Sequence, residues 1–212
     1  LMNMNLTFDD KNKKHPADFS EKEHQILHSV RKLFSRSGSH GMSMRLLAKE
    51  LQLAPSVLYH YFQNQDDLMY QMYRFTNYEV GLQRAALPKQ RTVREQFAQL
   101  IQFQFDNAES VVAVLKFYLV FRDSFAQSEH KTLPMEAAKH VTEVLQFGIE
   151  QGLYRPDCLD DAKIIAHSIN GYLLEHFPYD IEQQKLQKLI DHLVWFFEQP
   201  LLITKVGTDS TK

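Results

Sequence analysis

The chain has 212 residues, 44% of them hydrophobic and 24% charged, which is the length and composition of a globular protein with a sizeable core. Its single cysteine excludes an intramolecular disulfide framework and indicates a reducing compartment. No signal-peptide pattern is visible, and no apolar run approaches the roughly 20 residues of a transmembrane helix. We therefore expect a cytoplasmic protein without a membrane partner.

The net charge of −2 is distributed unevenly along the chain. Residues 1–64 hold 9 Lys and Arg against 6 Asp and Glu, whereas residues 65–212 hold 15 against 20. The positive N-terminal part favours nucleic-acid binding there, although an asymmetry this mild also arises by chance.

The chain begins with a polar stretch that is followed by a first helix. Residues 1–17 carry charges of both signs, so we predict a disordered arm. The sequence Ser20-Glu21-Lys22-Glu23 is a capping box, and Gly38 ends the helix that it starts. The polar side of this helix, with Arg31, Lys32 and Arg36, is predicted to be solvated. Its buried stripe has helical spacing: Ile26, Leu27, Val30, Leu33 and Phe34.

Two short helices joined by a tight turn come next. Ser43 is placed to cap the first, and residues 52–54 are too few for anything but a turn. Pro55 suits the first position of the second helix, whose buried side is formed by Leu58 and Phe62. The buried side of the first helix consists of Met44, Leu47, Ala48 and Leu51. This arrangement predicts a helix-turn-helix, whose second helix enters the major groove of DNA.

The sequence in this region resembles the DNA-binding domain of the TetR family of transcriptional regulators. The similarity is carried by residues 38–51, by Leu58-Tyr59-His60-Tyr61-Phe62 and by Asp66-Asp67-Leu68. It covers about residues 20–70, and the rest of the chain resembles the family only in length and helical pattern. The resemblance implies a homodimer that binds a palindromic double-stranded DNA operator as a repressor and responds to a small-molecule effector of unknown identity.

Several positions depart from the family pattern and shift the expected DNA contacts. Ala54 stands where a capping Ser or Thr is usual, and Gln52 replaces the Gly often found in such turns. Gln65 stands where a Lys usually meets the DNA backbone, so Arg45 and Lys49 are predicted to supply more of the phosphate contact. The predicted DNA-binding residues are Ser43, Arg45, Lys49, Pro55, Ser56, Val57, Tyr59, His60, Tyr61 and Gln65.

Beyond residue 65 the pattern is helical throughout, and no segment indicates a strand, so the predicted fold class is all-α. A linking helix is expected from about residue 65 to before Pro88. Further helices are expected near 92–107, 110–126, 134–152, 159–177 and 186–197. The predicted domains are the arm (1–17), a three-helix helix-turn-helix DNA-binding domain (18–64), a helical ligand-binding and dimerisation domain (65–200) and a flexible tail (201–212).

The last two predicted helices carry more apolar side chains than a lone helix pair needs, which supports the dimerisation that the resemblance implies. These residues are Ile164, Ile165, Ile169, Leu173, Leu189, Leu193, Trp195 and Phe196.

Aromatic side chains are concentrated between residues 97 and 147. Most are expected in the core, and some are expected to line an effector cavity, because ligand sites are mostly apolar with a few polar anchors. His167 and His176 are predicted to be buried and hydrogen-bonded. The predicted ligand-binding residues are Phe103, Tyr118, Phe121, Arg122, Phe147, His167 and Asn170.

No catalytic motif is present: there is no Gly-rich phosphate loop, no Gly-x-Ser-x-Gly and no metal set with ligand spacing. His24 and His28 stand at i, i+4 without a Glu or Cys partner, so we predict two solvated histidines rather than a metal site. Cys158 is interpreted as an inert rather than a reactive thiol. We predict a non-enzyme without cofactor or metal. Two alternatives stay open: a small-molecule-binding helical protein, and an interaction module whose helix-turn-helix is structural only.

Overall fold

The computed structural model describes residues 14–38, 42–127, 133–178 and 182–203. These ranges contain helices and no strand, apart from an isolated bridge between Tyr154 and Leu202, so the all-α prediction is confirmed. The helices are α1 (Glu21–Ser37), α2 (Met44–Glu50), α3 (Pro55–Tyr61), α4 (Gln65–Ala85), α5 (Val93–Asp106), α6 (Ala108–Gln127), α7 (Leu133–Glu150), α8 (Ala162–His176) and α9 (Gln183–Glu198). None of the described helices combines the length and the apolar composition that a bilayer crossing requires.

Local sequence signals place most helix ends correctly. The capping box at α1 forms as predicted, because the Ser20 hydroxyl accepts from the Glu23 N–H at 3.3 Å while Glu23 accepts from the Ser20 N–H at 2.6 Å. The helix predicted from residue 159 begins later, at Ala162. Residues Pro156–Asp161 instead form a 3₁₀ helix that starts at the proline.

Parts of the predicted arm and tail are packed against the fold, which corrects the expectation for those residues. Pro16 is buried, and the Lys14 ammonium lies 2.8 Å from the Glu23 carboxylate. At the other end Leu201 is buried, and Leu202 bridges to Tyr154. The remaining arm residues (1–13) and tail residues (204–212) lie outside the described ranges.

The chain forms two compact units. The first contains the described residues within 1–87, 104–134 and 173–179, and the second those within 88–103, 135–172 and 180–212. The first unit contains α1 to α4 and α6 around one core. That core includes Ile26, Leu27, Val30, Phe34, Leu47, Leu58, Phe62, Leu68, Met72, Phe75 and Phe117. Helices α1 to α3 therefore share their apolar contacts with the linking helix α4, and the domain boundary at residue 64 stays a prediction.

In the second unit, a buried polar contact fixes the segment after α7 against α9. The Tyr154 hydroxyl donates to the Glu198 carboxylate at 3.0 Å, and Arg94 donates to the same carboxylate at 2.5 Å. Burial and the neighbouring Glu198 raise the pKa of the Tyr154 hydroxyl. Gly148 lies under the Tyr154 ring, where a Cβ would overlap the ring. The aromatic side chain therefore packs directly on the backbone of α7.

Candidate nucleic-acid interface

The two short helices and their turn have the predicted helix-turn-helix arrangement. The Ser43 hydroxyl accepts from the Leu46 N–H at 3.2 Å and caps α2. Helix α3 begins with Pro55, and its preceding residue Ala54 makes no side-chain capping bond. Leu58 is fully buried and Phe62 almost so, and both join the core that contains α1 and α4. Packing on one side of α3 therefore fixes which of its side chains face outward.

The turn depends on a residue in the left-handed region. Gln52 has φ 54°, the Gln52 N–H donates to the Lys49 carbonyl at 3.1 Å, and the Leu53 N–H donates to the Ala48 carbonyl at 2.8 Å. These two bonds form a Schellman motif with Gln52 at the position where glycine is usual. The turn contains no glycine. The hydrogen bonds close it nevertheless, at the cost of left-handed backbone in a residue with a Cβ.

Replacing Gln52 by glycine is expected to stabilise the turn. Left-handed backbone costs a residue with a Cβ roughly 1–2 kcal/mol, and part of the gain is lost because glycine gives the unfolded chain more freedom. We expect Gln52→Gly to raise the free energy of unfolding by about 0.5–1 kcal/mol, measured from urea denaturation midpoints. Gln52→Ala is the matched control, since it keeps the strain. Equal midpoints for the two variants would contradict this prediction.

Helix α3 presents polar groups on its outward side. Pro55, Ser56, Tyr59 and His60 are exposed, and the Tyr59 side chain is 55% exposed. Val57 and Tyr61 are half-buried, and the Tyr61 ring contacts the His60 ring edge-on with centroids 4.8 Å apart. A phenol, an imidazole and a hydroxyl on one exposed surface are able to bond both phosphates and base edges.

Helix α2 adds positive charge beside this surface. Arg45 and Lys49, one helical turn apart, are both exposed, as is Ser43 at the helix start. Gln65 is half-buried at the first position of α4. The Asn64 side chain caps that helix by accepting from the Asp67 N–H at 2.9 Å. This cap was missed in the sequence, although Asn is a favoured capping residue and stands three residues before an acidic one.

Of the three α1 charges predicted to be solvated, Lys32 and Arg36 are exposed, but Arg31 is not. Arg31 donates to the Glu79 carboxylate of α4 at 2.7 Å and lies 3.5 Å from the Glu109 carboxylate of α6. The Lys116 ammonium of α6 donates to the Ser35 and Arg36 carbonyls at 2.5 and 3.3 Å. These bonds satisfy carbonyls at the end of α1, which the helix itself leaves open. Polar contacts therefore hold α1 against both α4 and α6.

His24 and His28 also differ from the prediction of two solvated histidines. Both are half-buried against Phe75, with ring centroids 4.9 and 5.0 Å from it, and His28 lies 3.2 Å from Glu79. Among the described residues, no group of three or more His, Cys, Asp or Glu is placed to hold a metal.

Comparisons with known proteins agree with this geometry. Residues 26–72 match the family model described as bacterial regulatory proteins, tetR family. The chain therefore contains the DNA-binding domain of the TetR family. The matched segment runs from the middle of α1 into α4, and so it contains all of α2 and α3.

Solved structures of TetR-like proteins share the fold. The ketosteroid transcriptional regulator KstR2 of Mycobacterium tuberculosis is 15% identical in sequence, with a TM-score of 0.63. The superposition covers 90% of this chain and 100% of the KstR2 chain. The fatty acid degradation regulator FadR from Bacillus halodurans is 18% identical, with coverages of 87% and 96% and a TM-score of 0.60. A transcriptional regulator from Saccharomonospora viridis in complex with choline is 16% identical, with coverages of 87% and 100% and a TM-score of 0.59.

No curated protein is significantly similar to this chain in sequence. The solved structures therefore show the fold and identify no effector.

The residues predicted to bind an effector fall into both units. Tyr118, Phe121 and Arg122 lie on α6 in the first unit, where Phe121 is buried, Tyr118 half-buried and Arg122 exposed. Helix α6 departs from helical geometry at Phe121, with φ −106° and ψ 17°. The first unit also contains a buried group that the sequence did not single out, Gln104, whose Oε1 has no hydrogen-bond partner among the described residues.

The other four predicted effector residues lie in the second unit. Phe103 and Asn170 are buried and Phe147 is half-buried. His167 is exposed and His176 half-buried, so the prediction that both are buried is wrong for His167. Cys158 is fully buried, and burial raises the pKa of its thiol, as expected of an inert cysteine.

The phosphate contacts predicted for α2 are testable at Lys49. Because Lys49 is an exposed cation beside α3, Lys49→Ala should weaken binding to all duplexes alike and reduce the dependence of log K on log salt by about one unit. Lys163→Ala on α8, also exposed, is the control for loss of the same charge elsewhere. Gln65→Lys should act in the opposite direction and tighten binding broadly. A slope unaffected by Lys49→Ala would mean that α2 faces away from the DNA backbone.

Proposed function

We propose that the protein is a ligand-responsive repressor that binds a palindromic operator as a homodimer. The observation that carries the proposal is the exposed surface made by Ser56, Tyr59 and His60 of α3, beside the cations Arg45 and Lys49 of α2. Leu58, buried on the opposite side of α3, anchors that helix. The sequence departs from the family at Gln65, and two exposed cations on α2 supply the positive charge that this position lacks.

The proposed dimer interface consists of α8 and α9. Ile164 on α8 is 66% exposed, and Trp195 and Phe196 on α9 are 52% and 57% exposed. The exposed positions recur at helical spacing. They include Ile164, Ser168 and Gly171 on α8, and Lys188, His192, Trp195 and Phe196 on α9. Large apolar side chains in such stripes are typical of surfaces that are buried by a partner.

The proposed effector is a predominantly apolar molecule with a hydrogen-bond donor. Phe121 is buried and Tyr118 half-buried in the same unit as Gln104. A buried amide oxygen without a protein partner costs about 1–3 kcal/mol, which a hydroxyl or amine of a ligand offsets. Gln104 is therefore proposed as a polar anchor in the unit that also contains Tyr118, Phe121 and Arg122. The names of the similar structures mention a ketosteroid, a fatty acid and choline. These molecules differ too much in chemistry to define the proposed effector more closely.

In the proposed mechanism, effector binding favours a different position of the linking helix α4. Two α3 helices of a dimer must match half-sites about 34 Å apart, one turn of DNA. A ligand that binds one arrangement better than the other shifts the population and so changes the separation of the two helices. The protein is proposed to act by binding rather than by catalysis, in the cytoplasm where the operator is accessible.

Retention of a palindromic duplex on a native gel tests this function. A duplex of about 30 base pairs selected from a random pool should be retained at low salt and released as salt rises, because phosphate contacts dominate affinity. The rival classes, a small-molecule carrier and an interaction module with a structural helix-turn-helix, predict no selection of any duplex. Enrichment of one palindromic sequence over a scrambled duplex of the same length decides in favour of the repressor.

A further inference from the structure

His28 of α1 makes two polar contacts of opposite character. Its Nδ1 lies 2.8 Å from a terminal nitrogen of Arg31, and its Nε2 lies 3.2 Å from the Glu79 carboxylate of α4. The imidazole also meets the Phe75 ring edge-on, with centroids 5.0 Å apart. The contact thus joins α1 to the linking helix α4.

The first of these contacts fixes the protonation state of His28. A guanidinium has five N–H donors and no acceptor, so the nitrogen 2.8 Å from Arg31 must be the acceptor. Nδ1 therefore carries its lone pair, and the proton lies on Nε2, which donates to Glu79. Protonation of His28 would place an N–H on Nδ1 that points at an N–H of Arg31. The hydrogen bond between α1 side chains would then become a contact between two cations.

The charges around His28 come from three helices. Arg31 and His24 lie on α1, Glu79 on α4 and Glu109 on α6. Burial is the main effect that lowers the pKa of His28, and Arg31 and His24 lower it further, while Glu79 and Glu109 oppose the shift. The neutral imidazole is therefore the form that this packing favours.

We propose that His28 is an acid-sensitive contact between α1 and α4, and that protonation of His28 weakens operator binding by loosening α1 from the linking helix. The structural part concerns the fold alone, and the DNA part rests on the proposed function. The Arg31 hydrogen bond to Glu79, the Arg31–Glu109 ion pair and the Lys116 bonds to the end of α1 do not involve the imidazole. Acidification should accordingly loosen the contact without unfolding the unit.

The direction of the pH effect follows from proton linkage. The pKa of His28 is lower in the folded protein than its ordinary value of about 6.5, so the unfolded chain binds more protons below that pH. The stabilisation from the neutral contact is fully present above about pH 6.5 and is lost as the pH falls through the window below it.

Nuclear magnetic resonance of the intact protein tests the structural part. With ¹⁵N-labelled histidine at about pH 7.5, His28 should show the Nε2–H tautomer and should titrate below about pH 6.5. Observation of the Nδ1–H tautomer, or a pKa at or above that of a free imidazole, would overturn the proposal whatever the protein binds.

DNA binding at two pH values tests the functional part. When the pH falls from about 7.5 to 5.5, the affinity of wild type for its selected duplex should fall about three- to tenfold more than that of His28→Asn. Uptake of one proton changes an affinity by at most about tenfold per pH unit, so an effect of this size is possible for a single histidine. The asparagine carbonyl still accepts from Arg31 but does not titrate. His140→Asn is the matched control, because His140 also lies 3.2 Å from a carboxylate, Glu143. It should keep the wild-type pH dependence.

Two results separate this proposal from the function on which it rests. Equal pH dependence in wild type and His28→Asn overturns the switch while leaving DNA binding intact. Failure to select any duplex overturns the proposed function, and the resonance titration then still decides the state of His28. If His28→Asn does not fold, His28→Gln replaces it, because glutamine also keeps an uncharged acceptor.

Discussion

Phe196→Glu is expected to yield a monomer that no longer retains operator DNA. Phe196 is 57% exposed in the single chain, so a carboxylate there should leave the fold of the unit intact. In the proposed dimer the same carboxylate would be buried without a partner, which costs several kcal/mol. Because a palindromic operator is bound through two half-sites, loss of the dimer should also abolish specific retention.

Sedimentation velocity measures the oligomeric state, and a thermal melt confirms that the variant is folded. Gln184→Glu is the matched control, since it adds the same charge at an exposed polar position of α9. Leu193→Glu, an equally apolar target in sequence, is less suitable because Leu193 is half-buried within the chain and its replacement disturbs the fold itself. A folded Phe196→Glu variant that still sediments as a dimer would place the interface elsewhere.

Features decided within one turn of helix were predictable from the sequence. The capping box Ser20–Glu23, the Ser43 cap and the proline at the start of α3 all form as expected, because each depends on residues a few positions apart. The same holds for the buried side of α3, since Leu58 and Phe62 are the apolar residues at helical spacing.

Contacts between helices were not predictable in the same way. Arg31 and Glu79 are 48 residues apart, and a charged side chain on an amphipathic helix carries no local mark of its partner. The sequence therefore predicted a solvated Arg31, where the structure has a link from Arg31 to α4 and α6. The departure of α6 from helical geometry at Phe121 had no signal either, since neither Pro nor Gly stands in the apolar run there.

The exposure of His167 shows a different limit. An apolar helix predicts burial, but α8 buries Ile165 and Ile169 while leaving Ile164 and His167 exposed. Hydropathy does not distinguish a surface that is buried within one chain from a surface that is buried by a second copy. The apolar residues of α8 and α9 that are available to a second copy can therefore be identified only after the structure of the single chain shows which of them it leaves exposed.

Sequence reading by α3 is expected to depend on His60, whereas Tyr59 contributes affinity. Both side chains are exposed on consecutive positions and so point about 100° apart on the helix. A phenol is long enough to reach a phosphate, which carries no sequence information, whereas an imidazole in the groove bonds a base edge. Tyr59→Phe should therefore weaken binding to selected and random duplexes in similar proportion.

His60→Ala should instead reduce the preference between the two duplexes by about 1–3 kcal/mol, the value of a good base contact. Ser56 is exposed one turn earlier on the same side of α3, and Val57 beside it is half-buried. Both variants are titrated against selected and scrambled duplexes at one fixed salt concentration. Because the affinity for DNA depends strongly on salt, only affinities measured at the same salt concentration separate a loss of affinity from a loss of specificity. If His60→Ala leaves the ratio of the affinities for selected and scrambled duplexes unchanged, the base contacts are made by Ser56 or Val57 instead. These two residues precede His60 on α3, whose buried side is formed by Leu58 and Phe62.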